Sequence, residues 1–181
     1  MAKLESYEPS ESGALQHQRA ASVRRLAQRL RLVKTQAEEL EAEIACLARA
    51  RFAPLTKICG INFLTAGTLA GILGPGVRFA TDAQMAAYAG VAPLEASSAG
   101  RTRHRLNRGG NRRLNAVIYR IVLTQAHHLP AARTYLDRRV AEGKTRREAY
   151  RCLRRYVIRA IWHRWQECTA RPFLETSRAA A

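Results

Sequence analysis

Two adjacent serines, Ser97 and Ser98, lie in a stretch of the chain where a nucleophile stands beside a dense group of arginines. This serine stretch, Leu94–Asn115, reads LEASSAGRTRHRLNRGGNRRLN, and no acidic residue occurs between Glu95 and Asp137. A serine hydroxyl can attack phosphorus, and guanidinium groups bind phosphate oxygens through paired N–H donors. The pattern therefore favours a site that holds a nucleic-acid phosphate against a nucleophile. Its arginines are Arg101, Arg103, Arg105, Arg108, Arg112 and Arg113.

The same residue types allow two plainer interpretations. A Ser-Ser pair between small residues is more often part of a turn than of an active site. A run of arginines can be a solvated basic face, and His104 can be one more residue of that face as readily as a base or a phosphate donor. The density of the cations and the long acid-free run favour contact with nucleic acid.

Composition points to the same class of partner. The chain has 181 residues, with 31 lysines and arginines against 14 aspartates and glutamates, and a net charge of +17. Such a charge makes a polyanion the expected partner, with nucleic acid the first candidate. No apolar run reaches the roughly 20 residues of a membrane span, and the N-terminus has no signal-peptide core. We expect a cytoplasmic protein that does not associate with membranes.

The sequence offers no metal site. Its cysteines form no CxxC pair and have no zinc-like spacing, so we expect reduced core residues and no cofactor in this chain. No acidic cluster has metal-binding geometry, since Glu95 stands alone near the serines. The cysteines are Cys46, Cys59, Cys152 and Cys168.

A long helix precedes the serine stretch. Apolar residues recur at alternating steps of three and four, with no Gly or Pro between them, which is typical of a coiled-coil seam. Basic residues dominate 24–34 and acidic residues dominate 38–43, so antiparallel pairing of two copies sets opposite charges together. We predict a homodimer through this coil, with a higher oligomer as the alternative, although a helix packed along its own domain gives a similar pattern. The seam residues are Val23, Leu26, Leu30, Val33, Ala37, Leu40, Ile44 and Leu47.

After Pro54, the run Leu55–Leu73 has the spacing of a helix-hairpin-helix motif. Apolar residues precede a tight turn at Gly60, Ile61 and Asn62, and a helix of small residues follows. Such a turn needs a positive φ, which Gly provides and Asn tolerates, and its outward amides can bind a phosphate. A plain helical hairpin with a packing role is the equal alternative.

Helix signals fill the rest of the chain and no convincing strand occurs, so the predicted fold is all-α. Thr81 with Gln84, and Thr145 with Glu148, have capping-box spacing. Apolar periodicity predicts further helices over 112–128, 130–143 and from Thr145 to about Cys168. The last helix has an apolar face and a basic face. Its apolar residues include Ala149, Leu153, Tyr156, Val157, Ala160, Ile161 and Trp165; its basic ones are Arg146, Arg147, Arg151, Arg154, Arg155, Arg159 and Arg164.

These elements define four regions. We expect a disordered leader over residues 1–14 and a coiled-coil helix over 15–53. A compact helical domain follows over 54–170, and residues 171–181 form a flexible tail.

Several motifs in fixed order resemble one protein family. They are the GI turn within APLTKICGINFLTAGTLAGIL, then AAYAGVAP, the serine pair, RHRLNRGGNRRLN, and EGK within ARTYLDRRVAEGKTRREAYRCLRR. Together they resemble the C-terminal half of the IS110/IS116 insertion-sequence transposases, which include the pilin-gene invertase type of recombinase. The resemblance covers about residues 54–168, and the coil is similar to the connecting helices of the family.

The resemblance implies a serine-dependent DNA strand-exchange enzyme guided by a structured bridge RNA. The serine nucleophile of the family usually precedes glycine, which maps it to Ser98; here Ala99 follows, with Gly100 one place later, so Ser97 stays an alternative. A helical hairpin and a basic loop would bind the nucleic acid. The expected contact residues are Lys57, Gly60, Ile61, Asn62, Arg101, Arg103, His104, Arg105, Arg108, Asn111, Arg112 and Arg113.

The complete enzymes of this family carry an N-terminal RNase H-like half with four metal-binding acids. We therefore expect this chain to be a fragment or truncated relative, with divalent metal bound only in that missing half. It should bind nucleic acid but lack unaided transposition. The alternative is a non-catalytic DNA- or RNA-binding module derived from such a transposase.

Overall fold

Helices form almost all of the regular structure, which confirms the all-α prediction. The computed structural model describes residues 2–9, 13–74, 78–95, 104–105, 107 and 109–170. Two strands of two residues each, which the sequence does not predict, form a small antiparallel pair. The helices are α1 Ala2–Glu5, α2 Ala14–Phe52, a 3-10 helix Ala53–Lys57, α3 Phe63–Leu73, α4 Asp82–Tyr88, α5 Arg112–His128, α6 Pro130–Ala141 and α7 Arg146–Thr169; the strands are β1 Leu94–Glu95 and β2 His104–Arg105.

The chain divides into two compact units, residues 1–44 and 45–181. In the first unit, part of the expected disordered leader is helical, as α1. Arg31 of α2 forms an ion pair with Glu5 of α1 at 2.6 Å, and Arg24 donates a hydrogen bond to the carbonyl oxygen of Tyr7 at 2.8 Å. These contacts hold residues 5–7 against α2.

The predicted unbroken helix before Pro54 is confirmed, and α2 runs for 39 residues. Seven of its eight seam residues are exposed in the single chain. Their exposure leaves the seam free for a partner, so the coiled-coil pairing stays a prediction. The exposed residues are Leu26, Leu30, Val33, Ala37, Leu40, Ile44 and Leu47.

Helix α5 lies at the centre of the second unit. Its apolar face is buried as the periodicity predicts, and α3, α6 and α7 pack around it. The last turns of α2 also join this core, because the ring of Phe52 stacks on Trp165 of α7 at 5.2 Å. Burying such aromatic faces contributes strongly to stability. The buried apolar residues of α5 are Leu114, Val117, Ile118, Ile121, Val122 and Ala126.

The predictions for Tyr156 and Ala160 are wrong. Both were expected in the apolar face of α7, but Ala160 is exposed and the side chain of Tyr156 is 52% exposed. The core side of α7 is filled by Leu153, Val157 and Ile161, and a tyrosine hydroxyl favours a place in contact with water. The ring of Tyr156 instead packs edge-on against Tyr135 of α6 at 5.3 Å.

The two predicted capping boxes differ in outcome. Thr145 accepts a hydrogen bond from the amide of Glu148, and the Glu148 carboxylate accepts one from the amide of Thr145, so this box is complete. Thr81 caps α4 by accepting from the amide of Gln84. The Gln84 side chain, however, accepts from the amide of Ala80, so only half of the predicted box forms.

Within the described ranges, none of the helices combines the length and the apolarity needed to cross a membrane.

Candidate nucleic-acid interface

The residues on either side of the serines are paired with each other. Leu94 lies opposite Arg105, and Glu95 lies opposite His104, in the antiparallel pair of β1 and β2. Residues 96–103 connect the two strands, and we call them the serine segment. The serine segment lies outside the described residues, as does Arg108. The predicted roles of Ser97, Ser98, Arg101, Arg103 and Arg108 therefore stay predictions, as do those of His104 and Arg105.

A close approach of two glycines fixes the chain just after the serine segment. Gly90 ends α4 with a positive φ of 67°, and Gly110 lies directly against it. A Cβ on Gly110 would overlap the amide nitrogen of Gly90 and lie 2.8 Å from the carbonyl carbon of Ala89. Only glycine allows two backbones to come this close. The amide of Asn111 donates to the carbonyl oxygen of Tyr88 at 2.7 Å and completes the junction.

Asparagine side chains strengthen the same junction. The amide nitrogen of Asn111 donates to the Tyr88 hydroxyl at 2.8 Å, and that of Asn115 donates to the Ala89 carbonyl oxygen at 2.9 Å. Asn107 makes a longer bond to the Ala87 carbonyl oxygen, at 3.4 Å. The motif RLNRGGNRRLN thus contains the residues that attach the end of the serine stretch to the end of α4.

Asn111 also caps α5. Its side-chain oxygen accepts from the amide of Leu114 at 3.0 Å, which satisfies a donor in the first turn of the helix. Both polar ends of this side chain are thus engaged inside the chain, so its described role is positioning, and its predicted contact with nucleic acid stays a prediction. Sequence reasoning missed the structural roles of Asn107, Gly110 and Asn115. The signal that could have identified these roles is the recurrence of Asn and Gly within nine residues. Such residues indicate close contacts between backbone segments, whereas sequence reasoning considered only the charges of the neighbouring arginines.

The predicted turn at Gly60 is seated on α5. Gly60 has a φ of 90°, and a Cβ there would lie 3.1 Å from the carbonyl oxygen of Ile121. The side chain of Gln125, a buried polar residue of α5, donates to the carbonyl oxygen of Cys59 at 2.9 Å. Because an unpaired buried amide is costly, this bond fixes the turn on the helix.

The expectation that Asn62 adopts the left-handed conformation is wrong. Asn62 is extended, with φ −97° and ψ 179°, because it is the N-cap of α3 and its side-chain oxygen accepts from the amide of Thr65. The arm before the turn is the 3-10 helix Ala53–Lys57 instead of an α-helix. The helix-hairpin-helix motif is therefore not confirmed. Lys57 and Asn62 are exposed, while the side chain of Ile61 is buried and its amide donates to the carbonyl oxygen of Ile58 at 3.0 Å.

A groove of about 490 Å³ lies between this turn and α5, and we call it the hairpin groove. The turn residues, Thr65 and Thr68 line one side, and Val117, Arg120 and Thr124 line the other. Arg113 lies on the same face of α5, since it precedes Val117 by four residues and Arg120 by seven. Arg112, Arg113 and Arg120 are exposed. Sequence reasoning missed Arg120, although its spacing from Arg113 could have found it.

The described residues contain no group of three or more His, Cys, Asp or Glu side chains that could hold a metal ion, and we assign no metal ligand.

All four cysteines are free. Cys168 is buried, and burial raises the pKa of its thiol to about 11, so it stays protonated and inert at neutral pH. Cys46 is exposed, contrary to the expected core position.

Replacing Gly110 by alanine should lower the free energy of unfolding by about 2 kcal/mol, because the new Cβ forces two packed backbones apart. Gly109→Ala is a matched control, since a Cβ there meets only the side-chain oxygen of Asn107 at 3.5 Å. Urea denaturation of the parent and both variants measures the difference. Equal stability of the two variants would contradict the close approach.

Two comparisons with known proteins bear on this arrangement. Residues 53–137 match the sequence model of the transposase IS116/IS110/IS902 family. The "Insertion element IS110 uncharacterized 43.6 kDa protein" of Streptomyces coelicolor (strain ATCC BAA-471 / A3(2) / M145) is 38% identical to this chain over 141 residues. The aligned part is 76% of this chain and only 35% of the length of that relative. Both comparisons support the IS110/IS116 transposase family for this chain, and the family domain that matches lies at residues 53–137.

Proposed function

We propose that this chain is a cytoplasmic, DNA-binding transposase domain that takes part in DNA strand cleavage and exchange through a serine nucleophile. One observation carries the proposal. The family match over residues 53–137 spans the turn at Gly60, the serine segment with both of its fixed ends, and α5. The parts that would bind DNA and the part that would cut it thus fall within one matched domain.

The hairpin groove is the proposed site for the DNA backbone. The amides of Phe63 and Leu64 in the first turn of α3 have no intrahelical acceptor and can donate to a phosphate oxygen, whereas that of Thr65 is bonded to the side chain of Asn62. Arg113 and Arg120 add exposed guanidinium groups on the neighbouring face of α5, and the net charge of +17 favours a polyanion as the partner. The family resemblance adds a guide RNA as a second partner, whose backbone offers the same anionic oxygens.

The proposed chemistry is a phosphoryl transfer to Ser98. Its Oγ forms a bond to the phosphorus of a scissile phosphodiester while the bond from phosphorus to one deoxyribose oxygen breaks. The serine gives up its proton to a base, and the departing oxygen takes up a proton. Attack by a deoxyribose hydroxyl of another strand reverses these events and releases the serine. Arginines beside the serines would offset charge on the phosphoryl oxygens.

The fixed ends of the serine segment support this role. A nucleophile must be held close to its target in a narrow range of positions, and rigid supports achieve this better than free loops. The β1–β2 pair and the Gly90–Gly110 junction fix the chain on both sides of the serine segment. Ser97 stays the alternative nucleophile.

The exposed seam of α2 suits a second copy of this chain. Leu30, Val33 and Leu40 each leave more than half of the side chain in contact with solvent, and burying such residues contributes about 1.5–3 kcal/mol each. The basic and acidic halves of the helix favour an antiparallel pair.

Arg120→Gln should weaken binding to duplex DNA and reduce the slope of log affinity against log salt by about one unit, since one phosphate contact is lost. The control is Arg164→Gln, because Arg164 is already paired with Glu167 at 2.7 Å. Fluorescence anisotropy over a range of salt concentrations measures both slopes. An unchanged slope for Arg120→Gln would remove the hairpin groove from the interface.

A nicked or junction DNA should become covalently linked to the parent chain and to Ser97→Ala, but not to Ser98→Ala. Denaturing electrophoresis of the trapped adduct measures this, with and without the acid-bearing half that the family resemblance implies. An adduct that survives Ser98→Ala would contradict the assignment. If neither condition gives an adduct, the chain is a nucleic-acid-binding module without the chemistry.

Leu30→Lys should convert a dimer into a monomer, because it places a cation in the apolar seam. Leu32→Lys is the matched control: the two leucines are 57% and 58% exposed, but Leu32 lies off the seam. Sedimentation at micromolar concentration distinguishes the two species. A monomeric parent chain at that concentration would rule out the proposed pair.

A further inference from the structure

A second concave surface lies between helices α6 and α7 and the chain around the serine segment. This α6–α7 cleft has a volume of about 930 Å³. Its long side is α7, with α6 and the turn at Gly143 beside it, and its opposite edge is formed by residues 90–93 and Asn107. Residues 90–93 precede the serine segment and Asn107 follows it. The cleft therefore lies beside residues on both sides of the serine segment.

Cations dominate the lining of the cleft. Six basic residues line the cleft, compared with two acidic residues, Glu142 and Glu148. Both acids are engaged locally. Arg139 binds the Glu142 carboxylate at 2.7 Å and lowers its pKa, while the backbone amide of Thr145 lowers the pKa of Glu148. The six cations are Arg139, Lys144, Arg151, Arg154, Arg155 and Arg159.

Several of these cations have capacity left for a ligand. Asp82 of α4 pairs with Arg155 at 2.8 Å and with Arg159 at 3.7 Å through the same carboxylate oxygen, which leaves most of their N–H donors unused. Lys144 and Arg151 form no ion pair within the part of the chain that the structure describes. Arg151, Arg155 and Arg159 recur every four residues and so form a row, about 6 Å apart along α7.

Arg154 is the most constrained of the six. Its guanidinium lies 4.7 Å above the ring of Tyr119, and its Nε is buried without a hydrogen-bond partner among the described residues. Burial lowers the pKa of this side chain, although it stays charged at neutral pH. An anion in the cleft would compensate the charge that burial has desolvated.

An aromatic ring stands beside this row of cations. Tyr156 lines the cleft and is 52% exposed. Its orientation is held by Tyr135, whose hydroxyl accepts from Nε of Arg139 at 3.1 Å. A fixed, exposed ring among arginines is the combination with which proteins bind unpaired nucleic-acid strands, the bases stacking while the phosphates meet the cations.

We propose that the α6–α7 cleft binds an unpaired DNA strand, with its phosphates along the Arg151–Arg159 row and a base stacked on Tyr156. An unpaired strand fits better than a duplex, because base faces are hidden within a duplex. The inference rests on the proposed function, since strand exchange is what produces unpaired DNA beside the serine segment. The cleft then holds a freed strand next to the nucleophile while the hairpin groove holds the duplex.

The test uses the full chain and two fluorescent probes, an oligo-dT strand and a duplex. Tyr156→Ala should weaken oligo-dT binding about tenfold without changing the salt slope, because stacking is not ionic. Tyr156→Phe should restore the affinity, since it keeps the ring. Arg151→Gln should weaken the same binding and reduce the salt slope by about 0.7. The control is Arg133→Gln, an exposed arginine of α6 that lines neither the cleft nor the hairpin groove.

The outcomes separate this site from the hairpin groove. Duplex affinity should be nearly unchanged in Tyr156→Ala and lowered in Arg120→Gln. A negative result for oligo-dT binding in the cleft therefore does not decide whether the hairpin groove binds duplex DNA. Equal oligo-dT affinity in the parent and Tyr156→Ala would overturn the cleft as a strand site. Tighter binding of oligo-rU than of oligo-dT would overturn its assignment to DNA. Thermal denaturation of each variant identifies any loss that comes from unfolding.

Discussion

The contact between Gly90 and Gly110 is the constraint on which the arrangement of this domain depends. Gly90 both ends α4, through its positive φ, and provides the surface on which the chain returns after the serine segment. Because neither residue has a Cβ, the two backbones meet directly, and the amide of Asn111 reaches the carbonyl oxygen of Tyr88. One contact therefore ends a helix, closes a loop and sets the start of α5.

Helix α5 connects the Gly90–Gly110 contact to the other parts of the domain. Its first turn is attached to α4 through Asn111 and Asn115, and its later turns hold the turn at Gly60 through Gln125. Its buried face is the centre of the core, while Arg113 and Arg120 remain exposed. Because interiors are close-packed, the buried face of α5 fixes the position of the turn at Gly60 relative to the Gly90–Gly110 junction.

The sequence predicts the helices of this fold well and the polar contacts poorly. Apolar periodicity identifies the buried faces of α5 and α7, and the Thr145 box marks the start of α7, because both are local signals. Asn62 and Tyr156 were misjudged for a different reason. Whether an asparagine caps a helix or adopts a positive φ, and whether a tyrosine faces the core, depends on neighbours that are distant in sequence. Arg120 was missed because only the fold brings it beside the turn at Gly60.

Asp82 and Glu142 hold the arginines beside them in place without neutralising the whole cationic surface of the α6–α7 cleft. Arg155 lowers the pKa of Asp82 and Arg139 lowers that of Glu142, so both carboxylates stay ionised well below neutral pH. Each depressed pKa contributes stability that is present at neutral pH and is lost only as the pH falls through the folded-state value. Each carboxylate engages only part of a guanidinium, which has five N–H donors in a planar fork. The arginines are therefore held in fixed orientations with donors still free, and a strand that binds there gains phosphate contacts without the full entropy loss of ordering the side chains.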